Sequence, residues 1–147
     1  MKVKKSITNS KGTLVSILAM LLVVLFVSCT KKVSFLTSSV VPAARGTVKI
    51  DQDKNKNYVI NIELQNLAES SRLTPPKKTY VVWVTSEKNM TKNVGQIDTS
   101  SKSFSKNLTA SFQSISVDKP TKIYITAEDD PGVQYTMGQV VLTTGSL

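Results

Sequence analysis

Three stretches of this 147-residue chain hold side chains of a kind that could do chemistry: Cys29, the acidic run Glu128-Asp129-Asp130, and Pro75-Pro76-Lys77-Lys78. The chain has no histidine and one cysteine. Ser-His-Asp and Cys-His machinery is therefore excluded, as is an intramolecular disulfide, and the usual zinc, haem and iron–sulfur ligand sets are missing. Three carboxylates could hold a hard cation such as calcium, which prefers oxygen ligands, but consecutive acids lack the alternation of a dedicated calcium loop and repel one another. Glu128, Asp129 and Asp130 are thus weak cation-site candidates beside the plainer reading of a solvated turn. A glycosidase-like pair could be drawn from Glu63, Glu69, Glu87 or Glu128, yet no aromatic-rich cleft accompanies them. A Ser-x-x-Lys arrangement fails at Ser70, where Leu73 stands three residues on, and Ser100, Ser101 and Ser103 around Lys102 read as a polar turn. Pro75, Pro76, Lys77 and Lys78 form a stiff, basic approach to an apolar strand, able to present a protein contact or simply to fix where that strand begins. No enzyme activity and no cofactor are expected.

Cys29 is the most informative of these residues because of what precedes it. Lys2, Lys4, Lys5 and Lys11 are followed by an apolar stretch from Leu14 to Val27, 14 residues interrupted only by Ser16. As a helix it would span about 21 Å, short of the roughly 30 Å hydrocarbon core. A cleaved secretory signal therefore fits better than a membrane-spanning anchor. Residues 1–28 carry four lysines and no acid. Their removal leaves 119 residues with fifteen basic and ten acidic side chains, so the net charge of +9 falls to about +5. That modest excess is spread along the chain, and no dense basic stripe with interleaved aromatics marks a nucleic-acid surface.

Phe26-Val27-Ser28-Cys29 resembles the lipobox of bacterial lipoproteins, with Ser28 as the small residue before the cysteine and Phe26 in place of the commoner leucine. The resemblance implies a diacylglycerol-modified Cys29 at a new N-terminus, with acyl chains as the membrane partner. Two or three such chains suffice for stable anchoring where one is marginal. Thr30, Lys31 and Lys32 follow, with no aspartate at the second position and no acidic run. By the same resemblance, this implies an outer-membrane lipoprotein facing the periplasm.

The rest of the chain reads as strands. Residues 29–45 form the lipidated N-terminus and a tether that can include an edge strand, and residues 46–147 form the domain. Tyr58 to Leu64 alternates cleanly, with Tyr58, Ile60, Ile62 and Leu64 on one face. Thr79 to Thr85 is apolar on both faces and is expected as a central strand with Trp83 in the core. Gly46 to Asp51 starts the domain. Weaker strands are expected at Val94 to Asp98, Phe104 to Leu108 and Ala110 to Ile115, and further ones at Lys122 to Ala127 and Met137 to Thr143, with Gly138 marking a bulge. Seven or eight short strands with no helical period predict an all-β fold, a small β-sandwich of Ig-like or Greek-key type, with a small barrel as the alternative.

Two segments of the domain are similar to the extracytoplasmic C-terminal domain of RskA-type anti-sigma-K factors: Tyr80-Val81-Val82-Trp83-Val84, and the stretch from Ile125 to Gly145 with its acidic-Pro-Gly loop. The resemblance implies a related fold and a sensory or contact role outside the cytoplasm. It does not carry sigma-factor binding, because no cytoplasmic helical domain precedes Leu14 here. The sequence thus predicts a non-enzymatic envelope lipoprotein that binds an envelope protein or glycan, with a sensory domain and a small hydrolase as alternatives.

Overall fold

A computed structural model describes residues 30–97 and 108–147. It contains eight strands: β1 (Lys31–Ser34), β2 (Arg45–Gln52), β3 (Tyr58–Gln65), β4 (Thr79–Ser86), β5 (Thr91–Ile97), β6 (Ala110–Ser116), β7 (Pro120–Glu128) and β8 (Gln139–Thr143). A short 3-10 turn at Ser70–Arg72 interrupts the segment between β3 and β4. The strands make two four-stranded antiparallel sheets, ordered β1-β2-β3-β6 and β5-β4-β7-β8. Cys29, the 28 residues before it, and most of the strand expected at Phe104 to Leu108 lie outside the described residues, as does the Ser100–Ser103 segment.

One hydrophobic core takes side chains from both sheets. Val48, Ile50, Ile60, Ile62 and Leu64 come from β2 and β3, and Tyr80, Val82, Val84, Ile123, Ile125 and Leu142 from β4, β7 and β8. The alternation along β3 dictates its half of this arrangement: Ile60, Ile62 and Leu64 are buried while Glu63 and Gln65 face solvent. Tyr80 also fixes the chain outside the sheet, because its buried hydroxyl donates to the Ala68 carbonyl at 2.9 Å. Burial pushes that phenol well above the ordinary tyrosine value, so it stays a neutral donor.

The β2–β3 hairpin turns at the polar residues 53–57. Asp53 accepts from the Asn55 and Asn57 amides at 2.8 Å and from the Asn57 side chain at 3.0 Å, and Lys56 takes a left-handed φ of 64°. Residues 30–45 do more than lead into the sheet. β1 pairs with β2, Phe35 bridges to Thr144 beside β8, and Phe35, Val41 and Ala44 are buried in the core.

Two further differences from the sequence expectations have simple causes. β5 begins earlier than expected, at Thr91, because its polar first half hides the alternation. It carries a bulge opposite Val82 and Trp83, where Gly95 adopts a φ of 139° that a side chain would rarely tolerate. β7 begins at Pro120, two residues before the expected Lys122; the first position of a strand needs no N–H from the proline.

Asn57, whose side chain and backbone both donate to Asp53, holds the Asp53 carboxyl below the ordinary aspartate value. Stability from this turn is therefore complete above that ordinary value and is lost as pH falls through the lowered one. Thermal melts taken downward in pH should show this acid-side loss in the parent chain and a weaker one in Asp53→Asn.

Candidate functional site

β4 is buried along nearly its whole length, on both faces. Its inward side chains fill the core, so its outward ones, Val81 and Trp83, need a second cover. The sequence expectation that Trp83 anchors the core is corrected here. Trp83 is fully buried, but on the outer face of its sheet and apart from the core cluster. Its indole stacks on its cross-strand partner Tyr124 with ring centroids 6.1 Å apart and an interplanar angle of 11°. Lys122 lies 5.9 Å from the centre of the same tyrosine ring.

The cover is the segment 129–138, tied down along its length. Asn93 of β5 donates to the carbonyls of Pro131 (2.8 Å) and Val133 (3.0 Å). The Tyr124 and Thr136 hydroxyls share a hydrogen bond of 2.8 Å. The far end is pinned by Glu128. Trp83 Nε1 donates to Thr126 Oγ1 (2.8 Å), and that hydroxyl donates to Glu128 Oε1 (2.7 Å). The same oxygen accepts from the Met137 and Gly138 amides at 3.3 and 2.9 Å. Gly138 does not mark the bulge expected there, which falls instead between Val140 and Leu142. It is glycine because a Cβ would stand 1.8 Å from the Ala127 carbonyl oxygen.

The two candidate segments meet. Thr79 opens β4 directly opposite Glu128 at the close of β7, so residues 75–78 and 128–130 share one end of the domain. The Lys78 amide donates to the Glu128 carbonyl at 3.0 Å, and Lys77 Nζ lies 2.6 Å from Asp129 Oδ2. Pro75, Pro76 and Lys78 are exposed. The three carboxyl groups, however, point to separate partners: Glu128 inward, Asp129 to Lys77, and Asp130 to the Gly132 amide at 2.8 Å. Among the described residues no group of three or more potential ligands is placed to share a metal ion. Of the other acids considered for a pair, Glu69 is bound to Arg72 at 3.1 Å, and Glu87 lies at the opposite end of β4 from Glu128.

What this end offers is contact area. Tyr135 and Met137 are each 81% exposed on the segment that covers Trp83, with Met137 beside the Glu128 pin. The sequence signal for them was faint: in Gln134-Tyr135-Thr136-Met137 the middle threonine turns in to Tyr124 and its neighbours turn out. The stretches Tyr80–Val84 and Ile125–Gly145 lie side by side, in β4, β7 and β8 of one sheet. Comparison with family models, with curated proteins and with solved structures finds no match for this chain.

Glu128→Ala strips the acceptor from three buried or half-buried donors and should cost about 1–3 kcal/mol. It should also sharply raise hydrogen exchange at Met137 and Gly138. Lys77→Ala, which breaks a partly exposed ion pair, should cost under about 1 kcal/mol and leave those amides protected.

Proposed function

We propose that this chain is a lipid-anchored envelope protein whose domain works by binding, without catalysis. The observation that carries the reading is the position of Cys29, between a 14-residue apolar stretch and the first strand of the fold. Every described strand lies after it, so a cut before Cys29 would cost the two sheets nothing. The same reading takes those sheets as halves of a Greek-key β-sandwich. It is supported by the shared core and by the β3–β4, β5–β6 and β6–β7 connections, which pass from one sheet to the other.

β7 runs nine residues from Pro120 to Glu128, about 26 Å at the usual strand rise. Thr30 lies at the Pro120 end, which is proximal to the anchor. The Pro75–Lys78 approach and Met137 lie at the distal end, and Tyr135 lies near Met137 in sequence on the segment that roofs the outer sheet face, between the tethered Val133 and Thr136. An exposed aromatic and a methionine held by a pinned backbone suit a protein contact, since little side-chain and loop entropy remains to be lost. The partner is an envelope protein or glycan in the outer membrane or periplasm.

Cys29→Ser should abolish incorporation of labelled fatty acid; labelling that survives the substitution removes the anchor from this reading. A photoreactive residue at Tyr135 should capture an envelope component in living cells, and one at Glu63 on the outer face of β3 should not. Equal capture at both positions, or at neither, would remove the distal binding surface.

A further inference from the structure

We infer that the proximal end of the domain is a docking surface for an anionic lipid bilayer, an inference that rests on lipid anchoring at Cys29. This end is built from Thr30, the β2–β3 turn, the β4–β5 turn, the β6–β7 turn and the C-terminal Leu147.

Its charge is lopsided. Lys31, Lys32, Lys54, Lys56, Lys119 and Lys122 are all exposed, and none forms an ion pair with a described residue. The acids here are largely engaged by local partners. Asp51 accepts from Thr30 at 2.6 Å and pairs with Lys49 at 3.2 Å, Asp53 is occupied by its own turn, and Asp118 pairs with Lys88 at 2.6 Å. Glu87 is the exposed acidic side chain of this end. At the distal end, by contrast, Arg72 pairs with Glu69 and Lys77 with Asp129, which leaves no comparable excess among the described residues.

Apolar groups accompany the lysines. Val117, at the tip of the β6–β7 turn, is 80% exposed, and Met90 of the β4–β5 turn is 44% exposed. Lys31 and Lys119 also flank a groove of about 240 Å³ whose walls include Ile50, Tyr58, Pro120 and Leu147. Lysines around projecting apolar side chains match the polar-apolar boundary of a bilayer, where ammonium groups meet lipid phosphates and short apolar tips enter the headgroup layer.

Distance selects the membrane over a soluble polyanion. β1 begins at Lys31, two residues after Cys29, and the Thr30 hydroxyl is already bonded to Asp51. Two residues of extended chain reach about 7 Å, within the screening length of roughly 8 Å at physiological ionic strength. A lipidated Cys29 thus holds Lys31 within reach of a negative surface and turns the end of the domain that carries the other lysines toward it.

The test uses the purified, acylated full-length product with an environment-sensitive dye at Val117→Cys. Cys29 is the only native cysteine and its thiol is consumed by lipid, so the new one is labelled alone. In vesicles of phosphatidylcholine and phosphatidylglycerol the dye should shift to the blue. The shift should vanish in phosphatidylcholine alone or at high salt, and a dye at Tyr135→Cys should report water throughout. Each lysine of Lys31, Lys54 and Lys119 changed to glutamine should lower the ratio of docked to undocked protein about fivefold. Mass spectrometry of Cys29 separates the two layers of argument. An unmodified thiol overturns the anchor reading. Intact acylation with a dye at position 117 that sees water on both vesicle types overturns this inference, as does a shift produced by soluble anionic glycan and not by anionic lipid.

Discussion

The pairing of β4 with β7 sets Trp83 beside Tyr124 on the side of the sheet that the core does not fill. An indole of that size cannot be left in water without cost, and its N–H cannot be left without an acceptor in a dry site. The rest of that face follows from these two requirements. Thr126, two residues beyond Tyr124, accepts from the indole N–H and donates its own hydroxyl to Glu128. Glu128 then gathers the amides of Met137 and Gly138, and the segment 129–138 is drawn across the sheet as a roof. A single cross-strand pair thereby determines where the chain's longest acidic run goes and which residues are left exposed at that end.

This explains which features were legible in the sequence and which were not. β3 was legible because one of its faces is core and the other is solvent, so its alternation states its burial directly. β4 was legible as a central strand for a related reason, since apolar residues on both faces leave no side for water. The side on which Trp83 lies was not legible. Period two separates faces without naming them, and the residues that cover this tryptophan arrive more than 40 positions later, Thr126 being 43 away. The acidic run read as a solvated turn or a cation site because three adjacent carboxylates look equivalent in one dimension. The end of β7 falls between Glu128 and Asp129, and so sends the first inward and the others out.

The meeting of residues 75–78 with 128–130 is a similar case. Each stretch drew notice separately for its composition, and it is the register Thr79↔Glu128 that makes them neighbours. Register is a property of pairing across long loops, which local propensity does not encode. The proximal lysines read as a diffuse excess for the same reason. Scattered from position 31 to position 122, they form a surface only once the turns that carry them are gathered at one end of the strands.

The crossing of residues 34–36 from one sheet to the other has a mechanical meaning. β1 leaves Thr30 and runs lengthwise along β2. The Phe35 amide then donates to the Gly46 carbonyl and the Leu36 amide to the Thr143 carbonyl of the opposite sheet. A pull on Thr30 from outside the domain, resisted at the far end, loads this whole row of hydrogen bonds at once, in shear. It does not peel them one by one. The chain's first strand is thus arranged as a lap joint, bonded along β2 and riveted to β8 at its inner end, and the load it takes is spread to both sheets before any one bond must yield.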